Sequence, residues 1–203
     1  MNQKRKAVLF LHGLDGSAQE AEHYRPLFAD SDVIGLDYHG IAPWDAGREI
    51  GEAVRSLCER YERVSVIGYS LGAFLSLYAG IDAQIERAYF ISPVVDMERL
   101  ILTLMAQDGV TEEALKAQGT IPGSFGLVHS WDYLCYVREH PVEWRVPTAI
   151  LYAEHDNLTP YDTIKAFAAA HNARLTVMEN GEHWFHTEEQ MRFVDDWLRR
   201  ERE

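Results

Sequence analysis

The chain of 203 residues has few cysteines, an excess of acidic over basic residues and no long apolar run. Its two cysteines, Cys58 and Cys135, are too few for a disulfide framework and lack the spacing of metal ligands. The net charge of −13 argues against a nucleic-acid partner, because nothing in the sequence forms a basic patch to neutralise phosphates.

The longest apolar runs are shorter than the stretch that spans a bilayer. The run AVLFL near the start is also too short for the core of a signal peptide, and it leads directly into a glycine turn. We therefore expect a cytoplasmic protein with no membrane partner. The sequence carries no signal for oligomeric state.

Apolar runs that resemble strands alternate with helical patterns along most of the chain. Continuous apolar strands are typical of parallel sheets that are covered on both faces. The alternation predicts a single α/β domain over 1–203, with a doubly wound, mostly parallel sheet of about six strands. The runs are KAVLFLHG (6–13), SDVIGLDY (31–38), RVSVIGYS (63–70), ERAYFISP (86–93), PTAILYAEHD (147–156) and ARLTVMEN (173–180).

Three of the predicted helices have recognisable starts. Asp45 is expected to cap a helix whose apolar positions are Ile50, Val54, Leu57 and Tyr61. Thr159 and Pro160 read as a cap followed by proline at the first helical position, with the helix burying Ile164 and Phe167. The capping box from Thr187 to Gln190 opens a last helix with Met191, Val194, Trp197 and Leu198 on one face.

One segment, at about 94–146, interrupts the alternation. It contains two stretches of helical spacing, MERLILTLMAQDG and LVHSWDYLCYVREH, separated by KAQGTIPGSFG, which is rich in glycine and proline. No strand is predicted there. About fifty residues is longer than a usual strand-to-helix connection, so we interpret the segment as an inserted helical cap.

A Gly-x-Ser-x-Gly pattern at 68–72 joins the third strand-like run to a helical pattern. The two glycines leave space for a sharp turn that exposes the Ser70 hydroxyl at the carboxyl end of the sheet, above a helix N-terminus. A tight turn with a serine that caps the helix is the alternative interpretation. A serine nucleophile also needs a base. Asp156 lies at the carboxyl end of the fifth strand-like run, and His183 follows the sixth.

The stretches LFLHGLDGS, VIGYSLGAF, LYAEHDNLTP and NGEHWFH resemble, in order, the four signature regions of the α/β hydrolase family, and more closely its small bacterial serine esterases. The resemblance covers nearly the whole chain. The family's first two strands are missing from the sequence, which implies a shortened sheet. The resemblance also implies that the segment at 94–146 forms a lid.

The resemblance implies that Ser70 is the nucleophile, His183 the base and Asp156 the acid that orients the base. His186 is an alternative base, and Glu154 and Asp162 are alternative acids. The family pattern Gly-x-His favours His183. Glu154 is expected at a strand end and Asp162 in a first helical turn, which favours Asp156.

The HGLDGS loop after the first strand is expected to contribute the backbone N–H of Leu14 to an oxyanion hole, together with the N–H of Leu71. A glycine turn and a phosphate-binding loop are the alternatives. The second fails because Asp15 stands where a glycine is needed and would repel a phosphate. His12 either contacts substrate or braces the loop.

The chemistry implied is acyl transfer with no metal and no organic cofactor. Tyr69, Trp131, Trp184 and His12 are candidates for an apolar, partly aromatic pocket that takes a small-molecule substrate. A carboxylesterase for small, apolar or aromatic acyl groups is the leading hypothesis. An amidase or peptidase that receives an amine at Asp132 and Glu143, a carbon–carbon bond hydrolase and a non-catalytic binding protein are the alternatives.

Overall fold

The computed structural model describes residues 6–203, apart from the side chain of Phe125. Eight strands lie in this part of the chain. They are β1 (Lys6–Leu11), β2 (Ser31–Leu36), β3 (Arg63–Tyr69), β4 (Arg87–Ile91), β5 (Thr120–Pro122), β6 (Val128–Ser130), β7 (Thr148–Ala153) and β8 (Arg174–Met178). Six of them form one sheet in the order β2-β1-β3-β4-β7-β8, and every pairing in it is parallel. The predicted doubly wound α/β fold is confirmed.

The described helices are α1 (Ala21–Tyr24), α2 (Pro43–Cys58), α3 (Leu71–Tyr78), α4 (Met97–Gln107), α5 (Glu112–Gln118), α6 (Trp131–Glu139), α7 (Tyr161–Ala170) and α8 (Glu188–Glu201). On one face of the sheet, α1 and α8 bury apolar side chains in a cluster that includes Tyr24, Val194 and Trp197. None of the described helices is both long and apolar enough to cross a bilayer.

The predicted start of α8 is correct, although only half of its predicted capping box forms, because the side-chain oxygen of Gln190 has no hydrogen-bond partner in the described part of the chain. The starts of two other helices are displaced. In α8 the Thr187 hydroxyl accepts the N–H of Gln190, as a capping residue does. The cap of α2 is Ala42 rather than Asp45, because the helix begins earlier, with Pro43 at its first position. The helix ends at Cys58, so Tyr61 lies beyond it. Pro160 itself stands at the cap of α7, one residue later than Thr159.

The chain divides into two compact units. The larger comprises Met1–Val95 and Trp144–Glu203 and contains the six-stranded sheet; the smaller comprises Asp96–Glu143. The smaller unit holds α4, α5, α6 and the antiparallel pair β5 and β6. The prediction that this segment has no strand is therefore wrong. The predicted second helix is also too long, since α6 begins only at Trp131. The role of a lid stays a prediction.

Candidate active site

Ser70 lies at the turn between β3 and α3, with a backbone conformation of φ 48° and ψ −110°. A non-glycine residue in this region is strained and is held there by its surroundings. Two glycines allow the turn. A Cβ on Gly68 would lie 2.7 Å from the Cα of Ala73, and one on Gly72 would lie 2.3 Å from the carbonyl oxygen of Leu11. Neither position has room for any side chain.

Backbone hydrogen bonds hold Ser70 from two directions. Its N–H donates to the carbonyl of Ile91 at the end of β4, at 3.0 Å. Its own carbonyl accepts the N–H groups of Phe74 in α3 and of Val94, each at 3.3 Å. The strain of the turn is thus balanced by bonds to the neighbouring strand end and the following helix.

Ser70, His183 and Asp156 form one continuous hydrogen-bonded chain. His183 Nε2 lies 2.9 Å from Ser70 Oγ, and His183 Nδ1 lies 2.7 Å from Asp156 Oδ2. A carboxylate only accepts, so Nδ1 carries the proton and Nε2 is left to accept the serine hydroxyl. The His183 and Asp156 side chains are only 1% and 0% exposed, respectively.

The acid is fixed by the loop that carries it. Asp156 Oδ1 accepts the N–H groups of Leu158 and Thr159, at 2.8 and 2.9 Å. Because these bonds occupy Oδ1, the other oxygen is left for His183. The loop is tied to that of the histidine by the N–H of His155, which donates to the carbonyl of Gly181 at 2.9 Å.

Tyr69 and Phe185 fix the histidine loop. The Tyr69 hydroxyl donates to the backbone carbonyl of His183 at 2.9 Å, and the Phe185 side chain is almost completely buried two residues later. Burial raises the pKa of Tyr69, and the negative charges of Glu20 and Asp156 raise this pKa further. The tyrosine therefore stays protonated and keeps this hydrogen bond at neutral pH.

The alternative base and acids lie outside this chain of hydrogen bonds. His186 is exposed, and its Nδ1 lies 3.3 Å from Glu182. Glu154 follows the end of β7, and its carboxylate accepts the N–H of Asn180 at 2.8 Å. Asp162 lies in the first turn of α7.

The backbone N–H groups of Leu14 and Leu71 have no acceptor among the described residues. Leu71 is the first residue of α3, where helical N–H groups lack intrahelical partners. The loop that carries Leu14 runs close to Ser70, since a Cβ on Gly13 would lie 3.4 Å from that of Ser70. Both N–H groups are thus available to a ligand near the serine.

A cavity of about 420 Å³ lies beside Ser70 and is lined by Gly13, Leu14, Asp15, Gly16, Glu20, His23, Tyr24, Tyr69, Trp184 and Met191. Of the four predicted pocket residues, Tyr69 and Trp184 line it. His12 braces the loop instead, because its ring stacks on Tyr38 and its Nδ1–H donates to the carbonyl of Gly13 at 2.8 Å.

The fourth predicted pocket residue, Trp131, belongs to the smaller unit. It packs against that unit's own core of Met105, Leu115 and Leu134, with the Lys116 ammonium 5.6 Å from its ring centre. Its place in a substrate pocket stays a prediction.

Sequence reasoning missed the acidic and aromatic residues Glu20, His23 and Tyr24 on the cavity wall. The available signal was a capping box, in which Glu20 accepts the N–H of Ser17. That box predicts a helical turn after the glycine loop, and hence side chains beside it. Among residues 6–203, no group of three or more His, Cys, Asp or Glu side chains is placed to hold a metal ion.

The model of the uncharacterised protein family UPF0227 matches residues 7–193. The chain belongs to this family. No curated protein matched its sequence in a search. UPF0227 membership and the sheet topology together accord with the α/β-hydrolase fold that the signature stretches resemble.

Solved structures share this fold over nearly the full length of the UPF0227 chain. Est1E from Butyrivibrio proteoclasticus is similar, with a TM-score of 0.78 at 15% identity, over 98% of this chain and 87% of that one. Alpha/beta hydrolase domain-containing protein 10 from mouse is similar, with a TM-score of 0.70 at 15% identity, over 95% and 87%. At these identities the likeness establishes the fold.

Proposed function

We propose that this protein is a serine hydrolase that cleaves carboxylic esters through an acyl-enzyme. The observation that carries the proposal is His183, which bridges Ser70 Oγ and Asp156 Oδ2 at 2.9 and 2.7 Å. A histidine in this position has one nitrogen free to accept the serine proton and the other held by a carboxylate. This is the arrangement that makes a serine hydroxyl nucleophilic.

In the acylation step, Ser70 Oγ attacks the ester carbonyl carbon while its proton passes to His183 Nε2. Asp156 stabilises the imidazolium that forms. The N–H groups of Leu14 and Leu71 donate to the oxyanion as the carbonyl oxygen gains negative charge. His183 then gives the proton to the leaving alcohol, and the carbon–oxygen bond of the ester breaks.

Deacylation repeats these steps with water. His183 takes a proton from the water, whose oxygen attacks the acyl carbon, and it returns that proton to Ser70 Oγ as the acid departs. The buried Asp156 keeps the same histidine tautomer throughout. No group beyond these side chains and backbone N–H groups takes part in the proposed cycle.

The size and lining of the cavity favour a small or aromatic group on one side of the ester. A volume of about 420 Å³ lies at the lower end of the range for small-molecule pockets. Tyr24, Tyr69, Trp184 and Met191 give it an apolar and partly aromatic wall.

Hydrolysis of p-nitrophenyl esters of increasing acyl length by wild type and by Ser70→Ala tests the proposal. We expect wild-type rates to be highest for short chains and the variant to lose on the order of 10⁶-fold in turnover. A fluorophosphonate should label wild type at Ser70, as located by peptide mass spectrometry. His186→Ala is the control, because this exposed histidine lies outside the hydrogen-bonded chain.

Equal ester hydrolysis by wild type and Ser70→Ala would contradict the proposal. Labelling of Ser70 without ester turnover would instead move the activity to amides or carbon–carbon bonds. A protein that neither hydrolyses esters nor reacts with fluorophosphonate would be a binding protein on a hydrolase fold.

A further inference from the structure

The cavity lies next to the Ser70 turn, because a Cβ on its lining residue Gly13 would lie 3.4 Å from that of Ser70. Tyr69 and Trp184 line it, and they are the chain neighbours of Ser70 and His183. Leu14, whose N–H faces no acceptor among the described residues, lines it too. Because these lining residues adjoin the catalytic side chains, an ester held at Ser70 can extend one of its two portions into this space.

Aromatic rings form part of the wall. The Trp184 ring packs edge-on against His183, with centroids 5.0 Å apart, and half of the residue is exposed. The Tyr69 ring is fixed through its hydroxyl, which donates to His183. Ring faces attract ammonium groups within about 6 Å of their centres.

The charges around the cavity are negative. Asp15 and Glu20 supply two carboxylates, and no lysine or arginine is among the lining residues. His23 is the one lining residue that can become cationic, and its Nε2 lies 2.8 Å from a carboxylate oxygen of Asp195. Glu20 is held in place because its Oε1 accepts the N–H of Ser17 at 2.8 Å.

The negative charge of Glu20 acts on Tyr24 and Tyr69, two tyrosines that line the cavity. Burial is the main cause that raises the pKa of Tyr24 and of Tyr69, and the carboxylate of Glu20 raises both pKa values further. The Glu20 carboxylate therefore lies close enough to act electrostatically on both of these lining residues.

We propose that the protein prefers esters whose portion in this cavity carries a positive charge, such as an alkylammonium group, and discriminates against esters with a carboxylate there. Aromatic faces and two carboxylates attract the cation together, and the same carboxylates repel an anion. The inference rests on the proposed esterase activity, since it concerns the substrate of the same Ser70 site.

Isosteric substrates test this preference. One arm uses p-nitrophenyl esters of an acid that ends in trimethylammonium, its neutral tert-butyl analogue and an analogue that ends in carboxylate. A second arm puts the same three groups on the alcohol of an acetate ester. The readout is the ratio of kcat/KM for the cationic ester over the neutral one.

We expect a ratio of about five in the arm whose charged portion enters the cavity, the scale of an exposed ion pair with a cation–π contact. The carboxylate ester should be disfavoured by a similar factor. Higher salt should lower the preference, because ions screen exposed charges.

Charge-removing variants assign the effect to this cavity. Glu20→Gln keeps the oxygen that accepts the Ser17 N–H, and Asp15→Asn suits the left-handed backbone at φ 58°. Each should lower the ratio about twofold, and the double variant should bring it close to one. Glu22→Gln is the matched control, because Glu22 pairs with Arg25 and does not line the cavity.

A ratio near one in both arms, with hydrolysis that depends on Ser70, would overturn this inference and leave the esterase proposal standing. A ratio that falls equally in Glu22→Gln would also overturn it, since net charge would then be the cause. If no ester turns over, labelling rates of a cationic and a neutral phosphonate give the same comparison. Absence of labelling at Ser70 would overturn both proposals.

Discussion

In the larger unit, the four central strands of the six-stranded sheet are mostly buried, and the core includes Phe10, Ile67, Leu151 and Trp197. In the smaller unit, Asp96–Glu143, the buried cluster is built around Met105, Leu115 and Leu134. A core of that size contributes little hydrophobic free energy by itself. Polar and charged contacts between its elements therefore have a larger share in holding the smaller unit together.

Two sets of such contacts stand out in the smaller unit. Asp108, at the end of α4, accepts the Ser124 hydroxyl at 2.5 Å and lies 2.6 Å from Nε2 of His129 in β6. Arg138 of α6 pairs with Glu98 of α4 and Glu112 of α5. The comparison indicates that the larger unit fixes a site by packed strand ends, whereas the smaller unit fixes its elements by side-chain pairs.

Asp156→Asn should have the largest effect, on catalysis in the larger unit. The new amide still accepts the Leu158 and Thr159 N–H groups through one oxygen, but its nitrogen cannot accept the Nδ1–H of His183. The histidine then adopts the wrong tautomer, and kcat should fall about 10⁴-fold in the ester assay. Asp162→Asn, in the first turn of α7, is the control. A loss below tenfold in Asp156→Asn would show that another group orients His183.

Gly72→Ala should come next, because its Cβ would lie 2.3 Å from the carbonyl oxygen of Leu11. Backbone must move to make room, so we expect a loss of about 3–5 kcal/mol in the free energy of unfolding, measured with urea. Gly80→Ala, just after the same helix, has open space but a φ of +62°. Gly80→Ala should lower the free energy of unfolding by about 1 kcal/mol. Equal losses in the two variants would contradict a steric cause for the effect of Gly72→Ala.

Leu134→Ala and Leu75→Ala compare the two cores directly. Both leucines are fully buried, one in each unit. Each substitution should lower the free energy of unfolding of the unit that contains the leucine by about 2–5 kcal/mol. Amide hydrogen exchange should show lost protection within Asp96–Glu143 for Leu134→Ala, and in the sheet for Leu75→Ala. Equal loss across the whole chain in both variants would show that the units unfold as one.

Asp108→Asn should have the smallest effect of these variants on stability, and the size of this effect should depend on pH. Hydrogen bonds from Ser124 and then His129 lower the pKa of Asp108 below its usual value. The ionised Asp108 carboxylate therefore stabilises the folded state fully at any pH above its pKa in the unfolded chain. This stabilisation is lost as the pH falls through the lower pKa that Asp108 has in the folded state. Exchange protection of β5 and β6, corrected for intrinsic rates, should drop in acid for wild type. Wild-type protection that is independent of pH would contradict this role.

The same contrast explains how much could be predicted from sequence. The six strands of the larger sheet fall within the predicted strand-like runs, and Ser70, Asp156 and His183 follow the ends of three of them. Residues at the carboxyl ends of parallel strands meet at one edge, so order along the chain was enough to group them. Thr120–Pro122 and Val128–Ser130 are too short and too mixed in character to show a strand period, so this hairpin was missed.

The cavity wall could be predicted only in part. Tyr69 and Trp184 adjoin recognised residues, whereas Glu20, His23 and Tyr24 reach the site because a short turn packs beside the sheet. That approach depends on tertiary contacts such as the bond from the Ala18 N–H to Asp37, at 2.6 Å, which no local pattern encodes.

Main-chain groups make several of the hydrogen bonds that hold Ser70 and Asp156 in place. Ile91 and Val94 hold Ser70, and Leu158 and Thr159 hold Asp156, through backbone groups alone. A substitution at Leu158 or Val94 can therefore change the side chain and keep the backbone N–H group that makes the hydrogen bond. The geometry of the site therefore depends on loop length and on glycines with no space for a methyl group. A search for further chains with this site should therefore test for those features rather than for overall residue identity.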